Sequence, residues 1–159
     1  MKILVTGGNG RLANSLKEYI DGDYYGKLML DLTDKNCIDN LPNYDILIHT
    51  ATGNPAINNH LPLLFSKAKK SFAFTSKQGT FMNWKKDGPL PYGLEKLTLN
   101  FIVYRLNFLE QNIQLFEPGH MESHEHYTLM AKKFSNVYLS WKFNKNMIFD
   151  LVQDRYIPY

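Results

Sequence analysis

The sequence predicts an α/β fold, a doubly wound parallel sheet with helices on both faces. Three observations carry that prediction. Short apolar runs, several with β-branched members, alternate along the chain with stretches of helical periodicity. The strand-like runs do not alternate polar with apolar residues, so both sheet faces are covered. The first run is cut by glycines and followed at once by a helical stripe, the order of a strand, a tight turn and a helix. Right-handed crossovers between such units build a Rossmann-like, three-layer αβα arrangement.

Residues 2–6, KILVT, read as a buried strand stopped by Gly7 and Gly8. In 12–20, Leu12, Leu16 and Ile20 fall four apart, a helical stripe. KLMLDL (27–32) is expected to be the second strand and YDILIHTA (44–51) the third. LPLLFSKAKK (61–70) reads as a short helix and SFAFTS (71–76) as the fourth strand. Residues 92–111 form the longest predicted helix, and IQLFEPG (113–119) the fifth strand. Beyond Gly119 the periodicity weakens; 126–134 and 144–154 read as two further helices whose order in the fold stays open.

The 159 residues suffice for one domain, taken as 1–159, and not comfortably for two. With 44% hydrophobic and 21% charged residues the chain is globular rather than disordered. The net charge of +3 is mild, and the lysine pairs are scattered among acids, unlike the basic stripe of a nucleic-acid binder. Cys37 is the one cysteine, which excludes an intrachain disulfide. No apolar run approaches the roughly 20 residues of a membrane helix, and the opening MKILVTGGNG lacks the pattern of a signal peptide. The expected location is cytoplasmic, with neither nucleic acid nor membrane as partner.

TGGNGRLA (6–13) lies between the first strand and the first helix, the context in which a glycine loop has chemical meaning. Gly7 permits the turn out of the strand, Gly10 lets a diphosphate approach the backbone, and Ala13 lets the helix pack closely. The helix start offers N–H groups and partial positive charge to phosphate.

The order TGxxGxxA, then Tyr92-x-x-x-Lys96, then a strand ending Pro118-Gly119 resembles the short-chain dehydrogenase/reductase family, over roughly residues 1–123. The glycine spacing is closest to the extended or atypical branches, which include nucleotide-sugar reductases. The resemblance implies NAD or NADP as cofactor, Tyr92 as catalytic acid or base, Lys96 as its partner, and Ser76 as the serine that orients the substrate, with Thr75 as its fallback. It implies a cofactor contact set of Gly7, Asn9, Gly10, Arg11 and Leu12 in the first loop, and Asp31 and Leu32 near the adenine. Ala51, Thr52 and Gly53 would follow the third strand, and Pro118, Gly119, His120 and Met121 would flank the nicotinamide. The chain departs from the family pattern in being short. Its C-terminal substrate portion is reduced, and Asn58 and Asn59 are candidates for the role of an active-site asparagine. Asp31 has two readings: by distance it bonds the ribose 2′-hydroxyl, by motif it belongs to a later strand and leaves NAD versus NADP open. Arg11 is a further candidate for a phosphate contact.

A free tyrosine has a pKa near 10. Lys96, four residues on, shares a helix face with Tyr92 if the helix starts at Pro91 or Tyr92, and its ammonium is expected to lower the phenol toward neutrality. The helix is apolar on nearly every side, from Leu94 to Leu109. A second copy packed on 92–111 as a homodimer is therefore expected, with the C-terminal tail as the alternative cover. HMESHEH (120–126) reads as a polar loop, and no metal site is expected. The functional expectation is an NAD(P)-dependent oxidoreductase acting on a small-molecule carbonyl or secondary alcohol, such as a nucleotide-sugar keto group. The alternatives are a non-catalytic dinucleotide-binding sensor or interaction module, and a structural domain binding no nucleotide.

Overall fold

In β1 (Ile3–Thr6) every residue is buried, and alternate side chains serve different layers: Leu4 joins one apolar cluster, Val5 the other. That double burial is what the absence of polar/apolar alternation demands. The computed structural model describes residues 1–76, 91–140 and 144–159. After β1 come α1 (Arg11–Leu16), β2 (Asp23–Tyr25), α2 (Lys35–Asp39), β3 (Tyr44–His49), a 3₁₀ turn (Pro55–His60), α3 (Leu61–Phe65) and β4 (Ala68–Phe74). There follow α4 (Pro91–Phe108), β5 (Ile113–Glu117), α5 (His124–Val137), β6 (Ile148–Asp150) and β7 (Arg155–Ile157).

Among the described residues seven strands form one sheet in the order β2-β1-β3-β4-β5-β6-β7. All neighbours are parallel except the β6–β7 pair. The chain moves outward from β1 to β2, then reverses to place β3 on the other side of β1. That reversal opens a crevice at the C-terminal ends of β1 and β3. Helices α1 and α5 cover one face, where Phe134 meets Phe74, Phe116 and Tyr138 with ring centroids 5.0, 5.0 and 5.2 Å apart. Helices α2, α3 and α4 cover the other, through Ile38, Leu64, Phe65, Leu99 and Val103. The fold class predicted from the sequence is therefore the observed one.

Several elements differ from their sequence reading. The second strand lies at Asp23–Tyr25, and 27–32 is a loop in which the Leu30 N–H returns to the Gly26 carbonyl at 3.0 Å. Its leucines misled because Leu30 and Leu32 are buried from a turn, not from a strand. The helix expected over 61–70 ends at Phe65, and after a turn at Ser66 and Lys67 the residues from Ala68 on belong to β4. Lys69 stays exposed at the strand's outer end and pairs with Asp45 at 3.2 Å. Residues 144–154 contain β6 and a turn rather than a helix. Asp150 Oδ1 accepts the Val152 and Gln153 N–H groups there, and Asp154 has a positive φ of 51°. Helix α4 is not buried all round: Leu99 and Val103 pack on the sheet, while Phe101 and Phe108 are 61% and 73% exposed. Leu151 lies in the opposite cluster, and from the tail Tyr159 reaches Tyr104. Among the described residues, no helix is long and apolar enough to cross a membrane.

His49 closes β3 opposite Thr6 of β1, with its Nδ1 2.8 Å from the Thr6 hydroxyl and its ring edge-on to Phe65. Burial, and secondarily the Lys96 charge, hold its pKa at about 3. Folding therefore favours the neutral ring, and the unfolded chain takes up the proton first. The stability this site provides is whole above about pH 6.5 and is lost as the pH falls toward 3, at up to roughly 1.4 kcal/mol per pH unit. Urea denaturation at pH 7, 5 and 4 should show the stability gap between wild type and His49→Asn narrowing with acid; a constant gap would contradict this account.

Candidate functional site

The crevice depends on a close approach of two loops. Gly7 has φ +67°, and a Cβ there would stand 2.7 Å from the Ala51 backbone nitrogen, so a side chain would push the β1 and β3 loops apart. From Gly7 the chain turns back, with the Gly10 N–H bonded to the Gly7 carbonyl at 2.8 Å. Gly10 is the N-cap of α1 and supplies no capping side chain. Leu12 and Ala13 then face the core. Across the crevice Gly26 follows β2, and the Asn9 carboxamide fills the space a Gly26 side chain would need.

These loops enclose a cavity of about 300 Å³. Of the residues predicted to hold a cofactor, it gathers Gly7, Asn9, Gly10, Asp31, Leu32, Ala51 and Thr52, and adds Lys27, Thr33, Thr50, Asn54 and Ile57. Asp31 ends neither a second nor a third strand: it lies in the loop after β2, where its Oδ1 accepts the Thr33 N–H at 2.9 Å and hydroxyl at 2.6 Å. Those bonds hold its carboxyl below the usual range. Leu12 is in the core and Arg11 faces away, its guanidinium 5.8 Å from the Tyr127 ring in a separate cleft with Glu18, Glu122 and His124.

The predicted catalytic residues meet beside the β4 end. Ser76 hydrogen-bonds the Tyr92 phenol. Lys96 is 5% exposed, with Nζ 5.6 Å from the Tyr92 ring centroid and donating to the Phe74 carbonyl at 3.1 Å. Burial pulls this lysine down to about 8, while Glu95 opposes the fall. The expected lowering of the tyrosine is absent: burial, then Glu95, push the phenol above its ordinary value, against the Ser76 hydrogen bond. The reason is geometric, since the ammonium is bonded to a backbone carbonyl instead of the phenol. Thr75 is buried, its hydroxyl bonded to Asn100.

Glu95 is the residue that sequence reasoning missed. It is 5% exposed, and its carboxylate accepts the Thr52 hydroxyl at 3.0 Å and the Gly53 N–H at 3.2 Å. Its main-chain carbonyl accepts the Asn58 carboxamide at 3.1 Å. One residue thus fastens the helix of Tyr92 and Lys96 to the loop lining the cavity. The available signal was an acid inside an apolar helical stretch, between the tyrosine and the lysine. Asn58, one of the two asparagine candidates, is buried in this network; Asn59 is exposed.

Pro118 to Met121 lie outside the cavity lining. Pro118 is buried, the Gly119 N–H bonds Glu117 Oε1 at 2.9 Å, and Met121 packs against the α5 side of the core. His120 is exposed and sits 2.6 Å from Glu122. Among the described residues no three His, Cys, Asp or Glu side chains converge as metal ligands would.

No protein-family model and no curated protein matches the sequence. Solved structures do resemble it. A putative short-chain alcohol dehydrogenase from Burkholderia multivorans superposes with a TM-score of 0.68 at 15% identity, over 99% of both chains. A carbonyl reductase from Pseudomonas aeruginosa PAO1, in complex with NADP, superposes with 0.67 at 12% identity, again over 99% of both. The Bordetella bronchiseptica enzyme WbmF, in complex with NAD+ and UDP, gives 0.51 at 16% identity, over 73% of this chain and 48% of that one. At these identities the likeness is one of fold: the chain has the Rossmann-like architecture seen in short-chain dehydrogenases and carbonyl reductases.

Proposed function

We propose that the chain is an NAD(P)-dependent oxidoreductase of short-chain dehydrogenase/reductase type, acting on a carbonyl or secondary alcohol. The observation that carries the reading is the union of two features: a hydrogen-bonded Ser76–Tyr92 pair beside a buried Lys96, and a cavity joined to their helix through Glu95 and Thr52. The cavity suits a dinucleotide. Its floor at Gly7 and Gly10 is backbone without side chains, and the uncapped start of α1 adjoins it. The structural neighbours bound to NADP and NAD+ support the same cofactor class. The UDP in one of them favours a nucleotide-sugar substrate.

When bound, the nicotinamide nucleotide supplies or takes the hydride. Gly7, Asn9 and Gly10 would receive its diphosphate, and Asp31, Leu32 and Ala51 its adenosine half. Ser76 would orient the substrate oxygen. Tyr92, kept protonated at neutral pH by its raised pKa, would donate the proton to a carbonyl under reduction. Lys96, near 8, exchanges its own proton close to neutral pH. Glu95 holds the Thr52–Gly53 turn against this helix. A non-catalytic nucleotide-binding module is the second reading, favoured by the Lys96 ammonium being bonded to the Phe74 carbonyl.

We infer further that a second copy of the chain covers α4. Leu94, Phe101 and Phe108 recur at seven-residue intervals along it and are 49%, 61% and 73% exposed, a stripe suited to a two-fold helix pairing.

Four measurements test these readings. Titration with NADH and NADPH, followed by nicotinamide fluorescence, should show micromolar binding of at least one. Tyr92→Phe should keep that binding within about twofold and lower turnover of a keto substrate by roughly 10² to 10⁴; turnover that survives would remove Tyr92 from the chemistry, and a wild type that binds without turnover on any keto sugar would favour the binding module. Glu95→Ala leaves the Thr52 and Gly53 donors without their acceptor and should cost about 1–3 kcal/mol of stability and weaken nucleotide binding, whereas Glu95→Gln, which keeps an acceptor oxygen, should lose much less. Light scattering should give a dimer for the wild type and a monomer for Phe101→Glu; a monomeric wild type at every concentration would refute the pairing.

A further inference from the structure

Two recesses flank the glycine loop. The cavity takes Gly7, Asn9 and Gly10 from it, while Arg11 and Asn14 line a separate cleft of about 410 Å³ between α1 and α5. The two adjoin, since the Asn14 carboxamide donates to the Asn9 carbonyl at 3.3 Å. Glu18 joins the cleft from the α1 side, and Glu122, His124 and Tyr127 from the turn into α5 and its first residues. Tyr92 is linked to both recesses. Glu95 and Thr52 tie its helix to the cavity. Toward the cleft its neighbour is Tyr127: burial, then Glu95, raise the Tyr92 phenol, and Tyr127 adds to the rise. Tyr92 is itself 40% exposed, open to an incoming molecule.

A reduction brings two molecules to one proton donor, and the protein offers two recesses for them. Resting on the oxidoreductase reading above, we propose that the α1–α5 cleft is the substrate site and that it takes an uncharged, polyhydroxylated group, a hexose ring. The lining decides the class. Arg11 supplies donors, Glu18 and Glu122 acceptors, and Asn14, His124 and the Tyr127 hydroxyl can do both. A sugar hydroxyl also donates and accepts, and so matches this mixture. An aliphatic ketone needs the apolar lining usual in ligand pockets, and Tyr127 is the one aromatic or aliphatic side chain among the described lining residues. The polar groups are not spent on one another. Among the described residues no ion pair joins Arg11 to Glu18 or Glu122. The Arg11 guanidinium rests over the Tyr127 ring, 5.8 Å from its centroid. One guanidinium against two carboxylates disfavours a diphosphate here. Where the hexose is carried on a nucleotide, the nucleotide therefore lies outside the cleft.

The test is titration of the full chain with D-glucose, UDP-glucose and UDP, each with and without NADPH, followed by amide NMR. D-glucose should bind with about millimolar affinity, in the presence of NADPH as in its absence, and shift the amides of 11–18 and 122–127. UDP-glucose should shift the same set, and UDP alone should leave it unmoved. Glu18→Gln should weaken D-glucose roughly tenfold and Tyr127→Phe a few-fold, with NADPH affinity within about twofold of the wild type in both. Glu18 is exposed, and Tyr127→Phe keeps the ring in its packing, so both variants retain the fold. No binding of D-glucose, its displacement by NADPH, shifts centred on 7–10 and 31–33, a cleft response to UDP equal to that to UDP-glucose, or an unchanged affinity in Glu18→Gln would each overturn the inference and leave the nucleotide reading standing. Failure of both NADH and NADPH to bind would bring down the oxidoreductase reading, and the cleft's role as its substrate site with it.

Discussion

The close approach of Gly7 to Ala51 is the constraint on which the rest of the molecule turns. A parallel sheet whose chain reverses direction at β1 must let two loops diverge at the ends of β1 and β3. Here they diverge from a shared floor, because the absent Cβ of Gly7 lets the first loop lie against the backbone of the other. Below that floor the Thr6–His49 contact ties the two strands at their last paired residues. Above it the loops part into the cavity. A larger residue at position 7 would therefore act on fold and cavity together.

The second constraint is the set of polar groups buried at the foot of α4. Glu95 and Lys96 are adjacent, each 5% exposed, and both are bonded to groups of other elements. Burying two charges is costly unless each finds geometry that replaces water. The carboxylate finds the Thr52 hydroxyl and the Gly53 N–H; the ammonium finds the Phe74 carbonyl. The helix is thereby joined to the loop after β3 and to the last residue of β4 by directional bonds as well as by leucine packing. Such an arrangement resists sliding of the helix along its own axis, a motion that apolar contacts alone oppose weakly.

How much of this was legible in the sequence depended on the range of the interactions involved. β1, β3, β5 and the long helix were legible because their burial follows from local periodicity, and the glycine loop because its role is set by its immediate neighbours. The second strand was not. DYY has little intrinsic signal and becomes a strand by pairing beside β1, whereas KLMLDL has a strong apolar signal that a turn consumes. The β6–β7 pair was hidden for the same reason: its stability comes from β5, more than thirty residues earlier. At the candidate site, Tyr92, Lys96 and Ser76 stood out by residue type and spacing. Glu95 did not, since its partners Thr52 and Gly53 are some forty residues away.

One hydrogen bond sets the electrostatics of the Tyr92 phenol. With the Lys96 ammonium on the Phe74 carbonyl at 3.1 Å, the phenol of Tyr92 feels burial and the Glu95 charge and stays above its ordinary pKa. A phenol in that state holds its proton, and giving it up would leave a partly buried phenolate beside Glu95. Under the proposed chemistry that phenolate would form when a carbonyl is reduced and be consumed when an alcohol is oxidised, so both directions need it stabilised. Ser76 supplies one donor, already in place and insufficient alone. Lys96, freed from the Phe74 carbonyl and drawn toward the phenol, would supply a positive charge. By microscopic reversibility that exchange of partners would serve reduction and oxidation alike.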